Sequence, residues 1–208
     1  MKITTTQELF ITACVEDMIA KAQCSYALRM YSSDSVDDQC YCDPSNKIIG
    51  INTYSCAAYA VEQGLDPMQY ILACAAHEIG HAVTPGITNM IHNINSLRYE
   101  VHTNIMCNPH AAKATMMQLW KCMWNAEVVA WDYATRYYHD EATYTRAREL
   151  CLQSYKENVY EQTMNRIKAA VKAQSPMRRL TRKVVSVLGK AVDSLGKELF
   201  SGEGIDNN

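Results

Sequence analysis

Apolar residues recur at helical spacing along most of the chain, and only one short stretch near the start alternates like a strand. Over 7–23 (QELFITACVEDMIAKAQ), Leu9, Phe10, Cys14, Met18 and Ile19 mark one helix face, and Thr6 is the expected N-cap. SYALRMYSS then reads as a strand, and Ser33 to Asp38 as an acidic loop. QCYCD, the turn Pro44-Ser45-Asn46 and NKIIGINT read together as a hairpin. A short helix over Ser55 to Gln63 ends at Gly64.

The next helix has the firmest limits. Asp66 can cap it, and Pro67 occupies the first turn, where its missing N–H costs nothing. It runs to Val83 and stops at Thr84-Pro85-Gly86. Beyond it the spacing predicts helices over 88–107, 111–138, 142–173 and 178–200, with breaks at Asn108-Pro109 and Ser175-Pro176. The expected fold class is therefore α+β. A small mixed sheet with helices comes first, then a central motif helix, then a mostly helical half. Residues 1–175 form the expected domain, and 176–208 an amphipathic helical segment with a tail.

Within the central helix, ILACAAHEIGHAV buries polar groups in an apolar run. His77 and His81 are four residues apart, so their rings project side by side from adjacent turns. Two imidazoles so placed can share a zinc ion, at about 2.0–2.1 Å from each nitrogen. Glu78 lies about 100° round the helix, where it reaches a water on that ion rather than the ion itself. Leu72, Ala76, Ile79 and Val83 supply an apolar stripe that anchors the helix.

A catalytic zinc needs a third protein ligand. Glu100 is the expected one, since a turn at Pro85-Gly86 lets the following helix run back beside the motif. Asn104, one turn on, could then accept a ring N–H from either histidine. Glu127 is the alternative. It sits at the edge of an apparent packing stripe of Trp124, Val128, Trp131 and Ala134.

HEIGH followed by Glu100-Val101-His102-Thr103-Asn104 resembles the gluzincin zinc metallopeptidases, with Asn104 where that group carries an aspartate. In size the chain is similar to the compact ImmA/IrrE-like peptidases, over about thirty residues from Ala73 to Asn104. The resemblance implies a zincin-like fold, zinc as cofactor, a protein or peptide substrate, and Glu78 as general base for a metal-activated water. It also implies a substrate laid along an edge strand, for which NKIIGINT is the candidate. The donor for the oxyanion is open among His92, Arg98, His102, His110, His139 and the tyrosines. The alternative function is a non-catalytic zincin-fold binding or structural protein; a zinc hydrolase acting on a non-peptide amide uses the same ligands.

Composition narrows the picture only at the margins. A formal net charge of −2 gives no reason to expect nucleic acid. The start lacks the apolar core of a signal peptide and no run is long enough to span a bilayer, so the nine cysteines are expected to be reduced, in the cytoplasm. Cys40 and Cys42 have no second pair at zinc-site spacing and read as two small side chains on one strand face. Residues 178–200 combine an apolar side with Arg178, Arg179, Arg182, Lys183, Lys190 and Lys197. That pattern suits either a membrane-surface or partner contact, or a helix packed on its own domain.

Overall fold

The computed structural model describes residues 3–34, 39–174, 184 and 186–188. The expectations for residues 35–38, and for most of the segment 176–208, lie outside them. Val184, Val187 and Leu188 are helical and exposed.

Helix α1 covers Thr5–Lys21. Its N-cap is Thr4 rather than Thr6, because Gln7 lies three residues on and closes a reciprocal capping box with Thr4. Strands β1 (Ala27–Tyr31), β2 (Cys40–Asp43) and β3 (Ile48–Asn52) form one sheet in the order β1-β3-β2. β2 and β3 are the expected hairpin. Asp43 fixes its turn by accepting hydrogen bonds from the backbone N–H groups of Ser45 and Asn46. β1 joins the other side of β3 in parallel, with Ala27 opposite Ile48 and Tyr31 opposite Asn52.

This order corrects one expectation. NKIIGINT contains β3, which is the central strand, bonded on both sides and therefore closed to an added peptide. Its buried Ile49 and Ile51 suit that place. β2 is the edge strand beside the motif helix.

Helix α2 spans Thr53–Glu62 and α3 spans Pro67–Val83. Asp66 caps α3 through the Gln69 N–H, and Thr84 closes its far end by a hydroxyl bond to the Gly80 carbonyl. Gly86, in the left-handed region at φ 75°, starts α4 (Ile87–Cys107). Pro109 opens α5 (Pro109–Ala134), and Asp140 caps α6 (Glu141–Ser154). A π-helical stretch, Tyr155–Glu161, continues α6, and helix resumes over 162–174. The fold is α+β and mostly helical. No helix among the described residues is long and apolar enough to cross a membrane.

Two apolar clusters hold these elements. One gathers α1, the sheet, α2 and α3 with Trp131 and Ala134 of α5. The other gathers α4, the earlier turns of α5 up to Ala126, and Met164 and Ile167. Helix α5 thus belongs to both. Glu127 lies on the short stretch where one cluster gives way to the other.

Candidate metal centre

His77 and Glu78 are buried on α3, and His81 is partly buried one turn later. The two imidazole centroids are 4.6 Å apart. Their nitrogens meet a carboxylate from α5. His77 Nε2 lies 3.1 Å from Glu127 Oε2, and His81 Nε2 lies 3.5 Å from Glu127 Oε1. Glu127 is only 6% exposed. It is buried on α5 with Met123, Ala126, Ala130 and Trp131.

Glu100 is not brought to the histidines. It is exposed on α4 and accepts a hydrogen bond from Thr115 at 2.8 Å. Asn104 does not take up a histidine ring either: His77 Nδ1 faces Glu78 Oε1 at 3.2 Å. The carboxylate beside the pair is therefore Glu127, and Glu100, the expected third ligand, is not brought to it. α4 does run back from the Pro85-Gly86 turn, but its buried residues Ile94, Val101 and Ile105 pack on the second cluster. Glu100, adjacent to Val101, is turned away from them.

A close helix crossing makes the Glu127 contact possible. A Cβ built on Gly80 would lie 2.1 Å from the Ala130 carbonyl oxygen, so only glycine lets α5 approach α3 this closely. On α5, Ala126, Ala130 and Ala134 recur every four residues and are all buried. Trp131, one turn beyond Glu127, stacks on His77 with centroids 4.3 Å apart and planes 19° from parallel. One helix turn thus supplies both the carboxylate facing the rings and the indole that fixes one of them.

The site's electrostatics are tightly coupled. Burial alone would depress the His77 pKa, but the Glu127 and Glu78 carboxylates outweigh it and raise it to about 10. Burial likewise opposes ionisation of Glu127, yet His77 and then His81 hold its carboxyl far below the usual range. His77 Nε2 is buried and has no hydrogen-bond partner: the nearby Glu127 oxygen lacks the required alignment.

That orphaned nitrogen permits a test of whether zinc suits these residues. Ligand atoms about 2.0–2.1 Å from a tetrahedral ion stand about 3.3 Å from one another. The two nitrogen–oxygen separations, 3.1 Å to Glu127 Oε2 and 3.5 Å to Glu127 Oε1, are close to that figure, each histidine facing its own oxygen of the carboxylate. Two imidazoles and one carboxylate are also a donor set that zinc accepts while keeping a position open. In donor type the residues are compatible with the ion, although among the described residues the groups whose ligand atoms all converge within 4.8 Å are His77, Glu78 and His81, and His77, Glu127 and Cys151.

Two neighbours were not legible in the sequence. Cys151 of α6 places its thiol 3.9 Å from Glu127 Oε2. Ligand atoms of His77, Glu127 and Cys151 lie within 4.8 Å of one another, as do those of His77, Glu78 and His81. Burial pushes the Cys151 thiol up, and the Glu127 charge adds to it. Tyr155 opens the π-helical stretch, and its phenol is pushed up first by burial and then by Glu127. Such stretches are frequent at functional sites.

Cavities flank the histidines. One of 340 Å³ runs toward Tyr59, Tyr70 and Leu150. Another of 280 Å³ runs between β2 and α4, past Tyr41, Ile91 and Arg98. Cys40, His77, Glu78 and Tyr155 border both. Arg98 is the one named oxyanion candidate on either wall; His92, His102, His110 and His139 are exposed and line neither.

No family model matches the chain, and no curated protein or solved structure matches it either.

Proposed function

We propose that the chain is a zinc-dependent metallopeptidase with His77, His81 and Glu127 as metal ligands and Glu78 as general base. The observation that carries this reading is the arrival of Glu127 from α5 at both imidazoles of the H-E-x-x-H turn. A bound zinc ion supplies Lewis acidity toward a carbonyl and lowers the pKa of a coordinated water.

The remaining work belongs to the chain. Glu78 is buried next to His77 and borders both cavities, so its carboxylate can take a proton from water there and return it to a departing amine. Trp131 stacks on the face of the His77 ring, and Glu127 lies 3.1 Å from its edge. The cavities give an extended substrate room on either side of that turn. β2, with Cys40, Tyr41 and Cys42 along the cleft, offers the edge against which a peptide backbone could pair. Arg98 and Tyr155 are among the cavity-lining donors available to a developing oxyanion, with Tyr41, Tyr59 and Tyr70 also on the walls.

The test pairs metal content with hydrolysis. Purified chain reconstituted with zinc should hold about one ion per chain and cut members of a mixed peptide library, read by mass spectrometry. Glu78→Gln should keep the ion and lose about 10²–10⁴-fold in rate. Zinc uptake with no cleavage in either protein would point to a non-catalytic zinc protein. Undiminished cleavage by Glu78→Gln would remove it as the base.

A further inference from the structure

We propose that Cys40 and Cys56 form a redox-active dithiol, which closes to a disulfide when a hydroperoxide enters the cleft. Both thiols are free, and they come from different elements, Cys40 from the first residue of β2 and Cys56 from α2. Their sulfurs are 3.5 Å apart. A disulfide needs about 2.05 Å, so closure takes a movement of roughly 1.5 Å between two short side chains. Cys56 donates to the Gln39 carbonyl at 3.4 Å, which holds its sulfur toward the chain segment that carries Cys40. Cys74 of α3 is the third cysteine beside them, and its presence helps to push both thiols up.

Access differs between the two. Cys40 borders both cavities, whereas Cys56 is fully buried and borders neither. The cavities admit a small peroxide, which reaches Cys40 from either one, while Cys74 borders only the larger. The Cys40 sulfur attacks one peroxide oxygen, the O–O bond breaks, and Cys40 becomes a sulfenic acid with release of water. The Cys56 sulfur then attacks the Cys40 sulfur, the S–O bond breaks, and a second water leaves. Two thiols are oxidised by two electrons and one hydrogen peroxide is reduced to two waters. A reducing thiol reverses the change by disulfide exchange.

The bond would tie the start of the edge strand to α2. Tyr41 and Cys42, the next residues of β2, line the cleft beside His81. The chemistry does not require a metal, so it stands apart from the peptidase reading.

The full chain, treated with hydrogen peroxide and then alkylated, tests it by peptide mapping without reductant. Chymotryptic cleavage after Tyr59 and Tyr70 separates Cys56 from Cys74. Cys40 and Cys56 should both leave the alkylated pool and appear in one cross-linked species that dithiothreitol resolves. Cys74→Ala should keep the cross-link. Cys56→Ala should abolish it and leave Cys40 open to dimedone, which traps sulfenic acids. Full alkylation of both residues after peroxide, or a cross-link from Cys40 to Cys74 instead, would overturn the proposal, and the wild-type map alone decides it if a variant fails to fold.

Discussion

The indole of Trp131 lies flat on the imidazole of His77, 4.3 Å from centroid to centroid. His77 carries the highest chemical demand in the site, because its two nitrogens face two different carboxylates. A ring so placed has little freedom to turn about its last torsion, since turning would drive it into the indole. Trp131 is 1% exposed and belongs to the larger apolar cluster. Trp131→Ala should thus cost about 3–5 kcal/mol of stability, read as a lower urea midpoint, and should weaken zinc binding. Trp131→Phe should retain most of both. Equal zinc affinity in Trp131→Ala and wild type would show that the stack does not position the ligand.

The two glutamates separate cleanly. Glu127→Ala removes the carboxylate that meets both imidazoles, whereas Glu100→Ala removes an exposed group bonded to Thr115. Loss of an outer partner typically weakens a metal site about 10–100-fold, and loss of a ligand should exceed that. Competition titration with a chromogenic chelator should show Glu127→Ala weakened by more than about 100-fold and Glu100→Ala unchanged. The reverse order would return the third-ligand role to Glu100.

Gly80 decides how near α5 can come. Its missing side chain is the space occupied by the Ala130 carbonyl. Gly80→Ala improves helix propensity by about 1 kcal/mol, yet the added methyl must push a backbone oxygen aside, and overpacking of this kind costs about 1–3 kcal/mol. The net effect on stability is therefore small or unfavourable, while the retreat of α5 carries Glu127 away from the histidines. Zinc affinity should fall more than stability does. A Gly80→Ala protein with intact zinc affinity would place the control of that spacing elsewhere.

How much of this was legible in the sequence depends on how far apart the cooperating residues are. Helix α3 was readable residue by residue, because Asp66, Pro67 and the Thr84-Pro85-Gly86 stop act within a turn or two of the chain. The hairpin of β2 and β3 was readable for the same reason. The place of β3 at the centre of the sheet was not, since β1 reaches it across the intervening hairpin, and alternation alone gives no partner order. In the sequence Glu127 is masked as a ligand, because the flanking Trp131 and Ala134 resemble ordinary packing. They are packing, and the surface they pack on is the motif helix itself. Gly80 and the alanines of α5 were the available signal, small residues that let two helices cross closely. The Cys40–Cys56 contact left no trace in spacing, as sixteen residues and a strand turn separate the two.

The charges on His77 and Glu127 predict opposite pH behaviour with and without zinc. In metal-free protein the folded His77 has its pKa raised from 6.5 to about 10, so its contribution to stability is complete below about pH 6.5 and is lost as pH rises toward 10. Glu127 is depressed from 4.5, so its contribution is complete above about pH 4.5 and is lost as pH falls. The pair should therefore stabilise metal-free protein most between about pH 4.5 and 6.5, with a decline toward pH 10. Zinc needs a neutral imidazole and displaces the proton, so its affinity should rise over the same alkaline range. Urea midpoints measured in chelator and in excess zinc should diverge as pH increases from 6 to 9. The chelated protein should lose stability while the zinc-induced increment grows. A chelated protein that becomes more stable between those pH values, with other titrations controlled by a Glu127→Gln variant, would show that His77 is not held protonated by its two carboxylates.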